Sequence, residues 1–412
     1  MSRDRTDGHR GHGLAVIASG AFVTLFAHPH RLGRLPLQVL LREDLHADPS
    51  EMAWFFAVGS AAWHLKPVVG LLSDMGVVTL ARRRVIIAAG AAAAALGWLG
   101  VALAPASIWP LAAATLVANM ATVVGFSAVG GLAFAFGRER GLTGAVASIK
   151  TGALSLALLV AGPLGARLSH QPLAATCALG GALQLTLAVS VAAWSTGRGP
   201  LPVPGRGAPF APLAAVVRAR RLWITAGLVF LFFIGPAAGT PLYYFQSAEL
   251  EFDPTTIGTL SMAFGGAGLI GSLIYARLAA RVPLRRLLVA TALLNAATAP
   301  LFVFYRTPES ALAVTAVMGI TTTPAIAALY DLANRSSPPE SEALAFACIA
   351  TVVSLTMSAS DVLGSHLYQQ QVSFGWLVAI TAATTAMIAP LSLLLPRALV
   401  ERRDSVAGAI DR

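Results

Sequence analysis

The stretch STGRGPLPVPGRGAPFAPLAAVVRARR, at residues 195–221, is the longest polar interruption in a chain otherwise dominated by apolar runs. It is rich in Gly, Pro and Arg, a composition that is typical of a linker rather than of a packed element. Six apolar runs precede this stretch and six follow it. We therefore predict an N-terminal half at 1–194 and a C-terminal half at 222–396, joined by a linker at 195–221 and followed by a tail at 397–412.

The composition indicates that lipid is the solvent for most of the chain. Of the 412 residues, 56% are hydrophobic and 12% are charged, whereas an average soluble chain has about 25% charged residues. Each run can supply the roughly 20 apolar residues that a helix needs to cross the hydrocarbon core. The sequence thus predicts an all-α polytopic membrane protein with twelve transmembrane helices in two pseudo-symmetric halves of six. The predicted spans 1 to 12 lie at 14–41, 51–72, 84–104, 108–136, 142–167, 172–194, 222–247, 255–277, 284–304, 309–331, 341–369 and 372–396.

The basic residues between the spans predict the orientation. If the N-terminus is cytoplasmic, 22 of the 29 Lys and Arg residues fall in cytoplasmic segments and 3 fall in outer loops. Such a bias follows the positive-inside rule. We expect a protein of the cell membrane with both termini in the cytoplasm. The same placement explains the formal charge of +10 without a nucleic-acid partner.

Four stretches of the chain resemble the folate–biopterin transporter family of the major facilitator superfamily. They are AAWHLKPVVGLLSDMGVVTLARRR at 61–84, GPAAGTPLYYFQSAELEFDPTTIGTL at 235–260, ARLAARVPLRRLL at 276–288 and SSPPESEALAFACIATVVSL at 336–355. In the first stretch the matching residues are Trp63, Lys66, Pro67, Gly70, Ser73, Asp74 and Arg82–Arg84.

The resemblance implies secondary active transport of a small organic solute, with anionic pterin- or folate-like compounds as the candidate class. The sequence departs from the family in the fourth helix, which usually carries acidic residues there. Here the stretch NMATVVGFSAVGGLAFAFG, at 119–137, has none. Either other residues couple protons and recognise the substrate, or the substrate differs.

The resemblance also implies a conformational latch at the cytoplasmic ends of the helices. Charges near a helix terminus can pair with each other and with helix ends across the two halves, and loss of this pairing would shift the conformational equilibrium. The alternatives are positive-inside anchoring and, for Lys66, snorkelling of the ammonium group to the surface. The candidate latch residues are Lys66, Asp74, Arg82, Arg83, Arg84, Arg277 and Arg281.

Span 1 carries basic residues deep in an apolar run. His28, Arg31 and Arg34 are spaced three apart and would share one face of a helix, and Pro and Gly residues beside them loosen that helix. Because Arg binds carboxylates and phosphates bidentately, these residues predict a site for an anionic substrate. The alternative is that span 1 ends near residue 28 and leaves them at the membrane interface.

Four further residues are candidate substrate ligands. Lys150 lies too deep in span 5 for easy snorkelling, which favours a cavity or an inter-helix contact. In span 7, Gly and Pro residues predict a break near a binding site. Beside it, Tyr243, Tyr244 and Gln246 could stack on and hydrogen-bond a flat heterocycle. An interfacial aromatic belt is the alternative for the two tyrosines.

Asp361 is the only acidic residue deep within a predicted span. Burial favours the neutral form of a carboxyl group, so Asp361 is the candidate carrier of a coupled proton, with His30 as the second candidate because histidine titrates near neutral pH. The alternative for Asp361 is a structural ion pair with a basic residue of a neighbouring helix.

Several motifs are absent from the sequence. It contains no GxxxxGK[ST] motif for ATP-driven transport, no HExxH and no Cys/His ligand spacing. We therefore predict no cofactor, no metal site and no enzymatic activity. The expected partners are a small-molecule solute, the lipid bilayer and a proton or other ion gradient, with a monomer as the functional unit. The alternative function is a non-transporting membrane assembly or pigment-delivery factor of the same superfamily.

Overall fold

The computed structural model describes residues 19–68, 71, 80–140, 143–193, 211–279, 281–338 and 341–400. Every regular element in these ranges is a helix, and nine helices are long and apolar enough to cross a membrane. These nine correspond to predicted spans 3–6 and 8–12. The prediction of an all-α, multi-pass membrane protein is confirmed. The full count of twelve stays a prediction, because spans 1, 2 and 7 consist of shorter helical pieces.

The unbroken spans begin and end close to the predicted residues. Spans 3–6 are formed by the helices Leu80–Leu103, Ile108–Arg140, Thr143–Ser169 and Leu173–Ala193. Spans 8, 10 and 11 are formed by Pro254–Ala279, Pro308–Ser336 and Glu342–Gln369. Span 9 is formed by Leu284–Ala297 and the 3-10 helix Ala299–Phe304, and span 12 by Phe374–Ala386 and Ile388–Leu393. Within the predicted linker, residues Ala211–Arg218 form a helix, whereas 194–210 lie outside the described residues.

Spans 1 and 7 are both broken in the same manner. Span 1 has a helix at 19–26, an irregular segment at 27–33, the helix Arg34–Val39 and the π-helix Leu40–Asp44. Span 7 has the helix Arg220–Phe233, an irregular segment at 234–239, the helix Thr240–Tyr244 and the π-helix Phe245–Glu249. Pro36 and Pro241 lie in the first turn after the break, where the missing N–H is not needed.

The segments after the two breaks repeat each other, and corresponding residues are always the same number of positions apart in the sequence. In each, the residue after the π-helix donates its N–H to the first π-helix carbonyl over 3.0 Å. The next residue has a positive φ, 49° at His46 and 52° at Glu251. An Asp-Pro pair then starts the following span, at Asp48 and at Asp253. This repeat supports two related halves.

The packing partners of the spans follow the same relation. Span 1 packs on span 5, span 2 on span 4, and span 3 on spans 4 and 6. In the second set, span 7 packs on span 11, span 8 on span 10, and span 9 on spans 10 and 12. The most extensive contacts between the sets join span 2 with span 11 and span 5 with span 8, and smaller ones join span 2 with span 7 and span 1 with span 8.

The two most extensive of these interfaces differ in chemistry. Spans 5 and 8 touch through backbone: a Cβ atom on Gly258 would lie 2.5 Å from the Gly162 oxygen, and one on Gly265 would lie 2.5 Å from the Leu159 nitrogen. Small residues permit such close helix contacts in membranes. Between spans 2 and 11, by contrast, the hydroxyl oxygens of Ser60 and Ser358 lie 3.0 Å apart.

Candidate functional site

Side chains from other spans satisfy the backbone at both helix breaks. In span 1 the Ala27 carbonyl accepts hydrogen bonds from Trp98 Nε1 at 3.2 Å and Gln184 Nε2 at 2.8 Å. In span 7 the Gly235 carbonyl accepts one from Ser360 Oγ at 2.7 Å. Irregular backbone is tolerated at membrane depth only where such partners or a polar cavity exist. The two breaks are therefore stabilised by side chains of other spans and belong to the fold.

Asp361 joins three spans. The residue is buried and belongs to span 11. Its Oδ1 accepts the Thr240 N–H of span 7 at 2.7 Å. Its Oδ2 lies 3.6 Å from Arg34 Nη2 of span 1. Gly239 has φ +78°, and a Cβ atom there would lie 2.5 Å from Asp361 Oδ1. Only glycine fits that position. The ion pair left open as the alternative for Asp361 is present, while proton coupling stays a prediction.

Arg34 remains accessible in this arrangement. Its side chain is 33% exposed, and its guanidinium carbon lies 4.6 Å from the centre of the Phe56 ring. A guanidinium has five N–H donors. Asp361 lies at one edge of the guanidinium and the Phe56 ring covers one of its faces. N–H donors of the guanidinium therefore remain for an external anion.

The histidines and Arg31 occupy the break rather than a helical face. The structure shows no regular helix over 27–33, so the shared face assumed for His28, Arg31 and Arg34 does not form; the helix resumes at Arg34. The depth of these residues in the membrane, and with it the alternative that span 1 ends near residue 28, is not tested by this arrangement. The His28 ring lies 5.1 Å from Trp63, and the His30 ring lies 5.3 Å from Phe56.

Three buried nitrogen atoms in the break have no hydrogen-bond partner among the described residues. They are His28 Nδ1, His30 Nε2 and Arg31 Nε. Buried polar atoms normally have partners in protein or water. Their clustering within four residues of span 1 is consistent with a site that receives water or a polar ligand.

Lys66 lies between the two sets of spans. Its Nζ is 3.3 Å from Ser354 Oγ of span 11 and 4.7 Å from the centre of the Trp63 ring. The ring of Phe126 on span 4 lies 5.8 Å away. Lys66 therefore contacts the other set of spans, as a latch residue would, although its role in a latch stays a prediction.

The other latch residues are only partly described. Asp74 and the side chains of Arg82 and Arg83 lie outside the described residues, as does the side chain of Lys150. Arg84 donates to the Ala192 carbonyl at 3.0 Å, within its own half. Arg277 and Arg281 are exposed at and beyond the end of the span 8 helix.

A polar cluster that the sequence reasoning missed joins the same end of span 8 to span 10. Tyr275 donates its hydroxyl to Asp331 Oδ2 at 3.2 Å. Arg335 binds Asp331 through two hydrogen bonds, of 2.9 and 3.0 Å. The i, i+4 spacing of Asp331 and Arg335 was a readable signal, but Tyr275 becomes a partner only through helix packing.

The span 7 candidates make contacts within the protein. Tyr243 and Tyr244 are buried, which does not fit a lipid-facing aromatic belt. The Tyr244 hydroxyl donates to the Ala47 carbonyl, in the loop between spans 1 and 2. Gln246 Nε2 donates to the Tyr305 hydroxyl at 2.6 Å. Two of the predicted ligands thus have internal partners in this conformation.

Comparison with known proteins matches both parts of the chain. Residues 28–303 match the BT1 family, and residues 237–409 match the Major Facilitator Superfamily. The chain is also 27% identical over 391 residues to a folate-biopterin transporter from Synechocystis sp.. This similarity covers 89% of the chain and 78% of that relative.

Proposed function

Because the chain belongs to the BT1 family and is a multi-pass protein of the major facilitator superfamily, we propose that it is a secondary active transporter of a small organic anion. The resemblance to folate–biopterin transporters is confirmed by the matches of the chain. The same matches are to transporters, so the prediction that the chain is not an enzyme is also confirmed.

The observation that carries the proposal is the pair of Arg34 on span 1 and Asp361 on span 11, beside the break of span 7. A partly exposed guanidinium at a helix break can bind a carboxylate or phosphate in place of Asp361. The ring of Phe56, 4.6 Å from the guanidinium carbon of Arg34, offers an apolar face for a flat heterocycle. A pterin- or folate-like anion combines both features, and the name of the Synechocystis relative supports this class.

Alternating access of two halves is the mechanism we propose. It is supported by the repeated segments of spans 1 and 7 and by the matching packing partners of the two sets of spans. The latch residues Lys66, Asp74, Arg82–Arg84, Arg277 and Arg281 would bias this equilibrium from the cytoplasmic side. The charge distribution supports cytoplasmic termini in the cell membrane.

We further propose that Asp361 couples a proton to transport, and its two contacts support this role. The charged carboxylate holds Arg34 and the Thr240 N–H together. Protonation removes the charge and weakens both contacts, which leaves Arg34 available to an anionic substrate. The proton and the anion would therefore bind to the same conformation of the protein, as symport requires. His30 is the second candidate for the proton.

A second candidate function is a non-transporting assembly or pigment-delivery factor. The missing acidic residues of span 4 favour it, because the resemblance places carboxylates there. Such a protein would keep the fold and the helix breaks but would show no saturable uptake.

Uptake in proteoliposomes tests the proposal. The purified protein is reconstituted under an imposed pH gradient and given labelled pterins, folates and other organic anions. We expect saturable uptake of at least one anion. This uptake should collapse when a protonophore dissipates the gradient. Arg34→Gln, reconstituted in the same way, is the negative control. Correctly inserted protein that takes up none of these anions would overturn the proposal in favour of the second candidate.

A further inference from the structure

We infer that Asp361 is a positioning residue for a gate that closes one end of the protein, and that it acts through the short helix Thr240–Tyr244. The gate consists of three contacts between the halves: Tyr244 with Ala47, and Gln369 with Asp48 and with Ser50. By the predicted orientation it faces the outside, so it is named the outer gate. The inference rests on the proposed transport function.

The first step fixes the broken part of span 7 on span 11. Asp361 Oδ1 accepts the Thr240 N–H, and Gly239 allows the carboxylate to approach the backbone closely. One turn further along span 11, Gly364 lies directly against the carbonyl of Pro236, and a Cβ atom there would also lie 3.0 Å from Pro241 Cγ. The start of the helix Thr240–Tyr244 is therefore held by Asp361 and by backbone contact.

The second step carries this position to the other half. Tyr244 lies about one turn, or roughly 6 Å, from Thr240. Its buried hydroxyl donates to the Ala47 carbonyl. The Ala47 N–H in turn donates to Leu41 at 2.8 Å, so the acceptor belongs to an ordered loop. A shift of Thr240 is transmitted to a contact between the halves.

The third step shows that span 11 reaches the same gate. Gln369, at the end of the helix that carries Asp361, lies about 12 Å further along it. Its Nε2 donates to Asp48 Oδ2 at 3.0 Å, and its Oε1 accepts from Ser50 Oγ. Two rigid helical segments thus lead from Asp361 to the outer gate.

Arg34 connects this unit to the substrate site. It belongs to the N-terminal half, so its ion pair with Asp361 is itself a contact between the halves. An anion that takes Arg34 from Asp361 removes this contact and loosens the segment that positions Tyr244. Loading of the site and opening of the outer gate are therefore linked through one carboxylate.

Thiol labelling tests the gate without a substrate. In a background with Cys177→Ala and Cys348→Ala, Ser247→Cys places a near-isosteric thiol at a buried position one turn beyond Tyr244. A membrane-impermeant maleimide is applied from outside. Since losing one hydrogen bond shifts an equilibrium by about two- to tenfold, we expect Tyr244→Phe to speed labelling by that factor. Asp361→Ala, which removes both the acceptor of the Thr240 N–H and the partner of Arg34, should speed it as well.

Two controls make the result specific. Tyr275→Phe removes a hydroxyl that bonds to Asp331 within the C-terminal half, and it should leave the rate unchanged. Arg306→Cys, at an exposed outer-loop position, should label equally in all variants and reports folding and orientation.

The outcomes separate the gate from the transport function. If Tyr244→Phe labels at the parent rate, or Tyr275→Phe accelerates labelling equally, the gate is refuted. Should Tyr244→Phe accelerate labelling while Asp361→Ala does not, the positioning role of Asp361 is refuted. Accelerated labelling in a protein that takes up no organic anion would support the gate and refute the proposed function.

Discussion

Replacing Asp361 with Asn separates net accumulation of substrate from its exchange across the membrane. The amide oxygen of Asn can still accept the Thr240 N–H, now bound at 2.7 Å, so the break of span 7 keeps its partner. The ion pair with Arg34 is lost, but the guanidinium is 33% exposed and stays partly hydrated, so its loss costs less than the loss of a partner in a fully buried pair. We therefore expect the variant to fold and insert.

The expected effect on transport is large. If one proton moves with each substrate, one pH unit supplies about 1.4 kcal/mol, which supports roughly tenfold accumulation. Asp361→Asn cannot change protonation during the cycle, so accumulation should fall to the external concentration. Exchange of internal for external substrate should continue, because it needs only alternation of the loaded site.

Proteoliposomes measure both quantities in one preparation. Net uptake is followed under an imposed pH gradient, and exchange is followed by counterflow of labelled substrate at equal pH. Asp331→Asn is the matched control, since it also removes an acid paired with an arginine, at the end of span 10. It should keep accumulation. If Asp361→Asn accumulates substrate as the parent does, Asp361 does not carry the proton and His30 becomes the next residue to replace.

Four further outcomes are expected. Arg34→Gln should weaken substrate binding about ten- to a hundredfold by loss of a charge-assisted contact of about 1.5–3 kcal/mol, with Arg34→Lys recovering part of it; binding at parental affinity in both would refute the anion site. Asp74→Asn should slow turnover in uptake assays more than it lowers expression or binding, and a native turnover rate would refute the latch. Gly162→Ala should lower the thermal unfolding midpoint by overpacking spans 5 and 8, at a cost of about 1–3 kcal/mol, whereas Gly227→Ala, with open space around it, should not. Reporter fusions within 195–221 and at the C-terminus should both report cytoplasm, and an outward linker would contradict the two-half prediction.

The features of the fold that were readable from sequence are those set by composition and by local backbone chemistry. Long apolar runs predicted the nine unbroken spans, and Gly and Pro residues predicted that spans 1 and 7 break. The repeat between these spans was also present in the sequence, as Pro36-Leu37 before Asp48-Pro49 and Pro241-Leu242 before Asp253-Pro254.

The contacts of the site depend on packing that no local pattern encodes. Arg34 and Asp361 were each singled out, but their pairing requires spans 1 and 11 to meet. The backbone N–H of Thr240 has no side-chain chemistry that could mark it as a partner of Asp361. Tyr244 was expected to face a ligand, yet its hydroxyl reaches the Ala47 carbonyl through the loop geometry around His46.

The backbone contact between spans 5 and 8 limits how the two halves can move. Where Gly162 and Gly258 touch, sliding or separation would open a void between backbones, so rolling about this line is the motion of least cost. The displacement of a helix during this rolling motion then grows with its distance from the contact line of spans 5 and 8. The serine contact of spans 2 and 11 lies at the other extensive interface and would travel furthest, and hydroxyl pairs can exchange partners with water as they part. A spin-label pair at spans 5 and 8 would therefore keep one distance through the cycle, while a pair at spans 2 and 11 would report two.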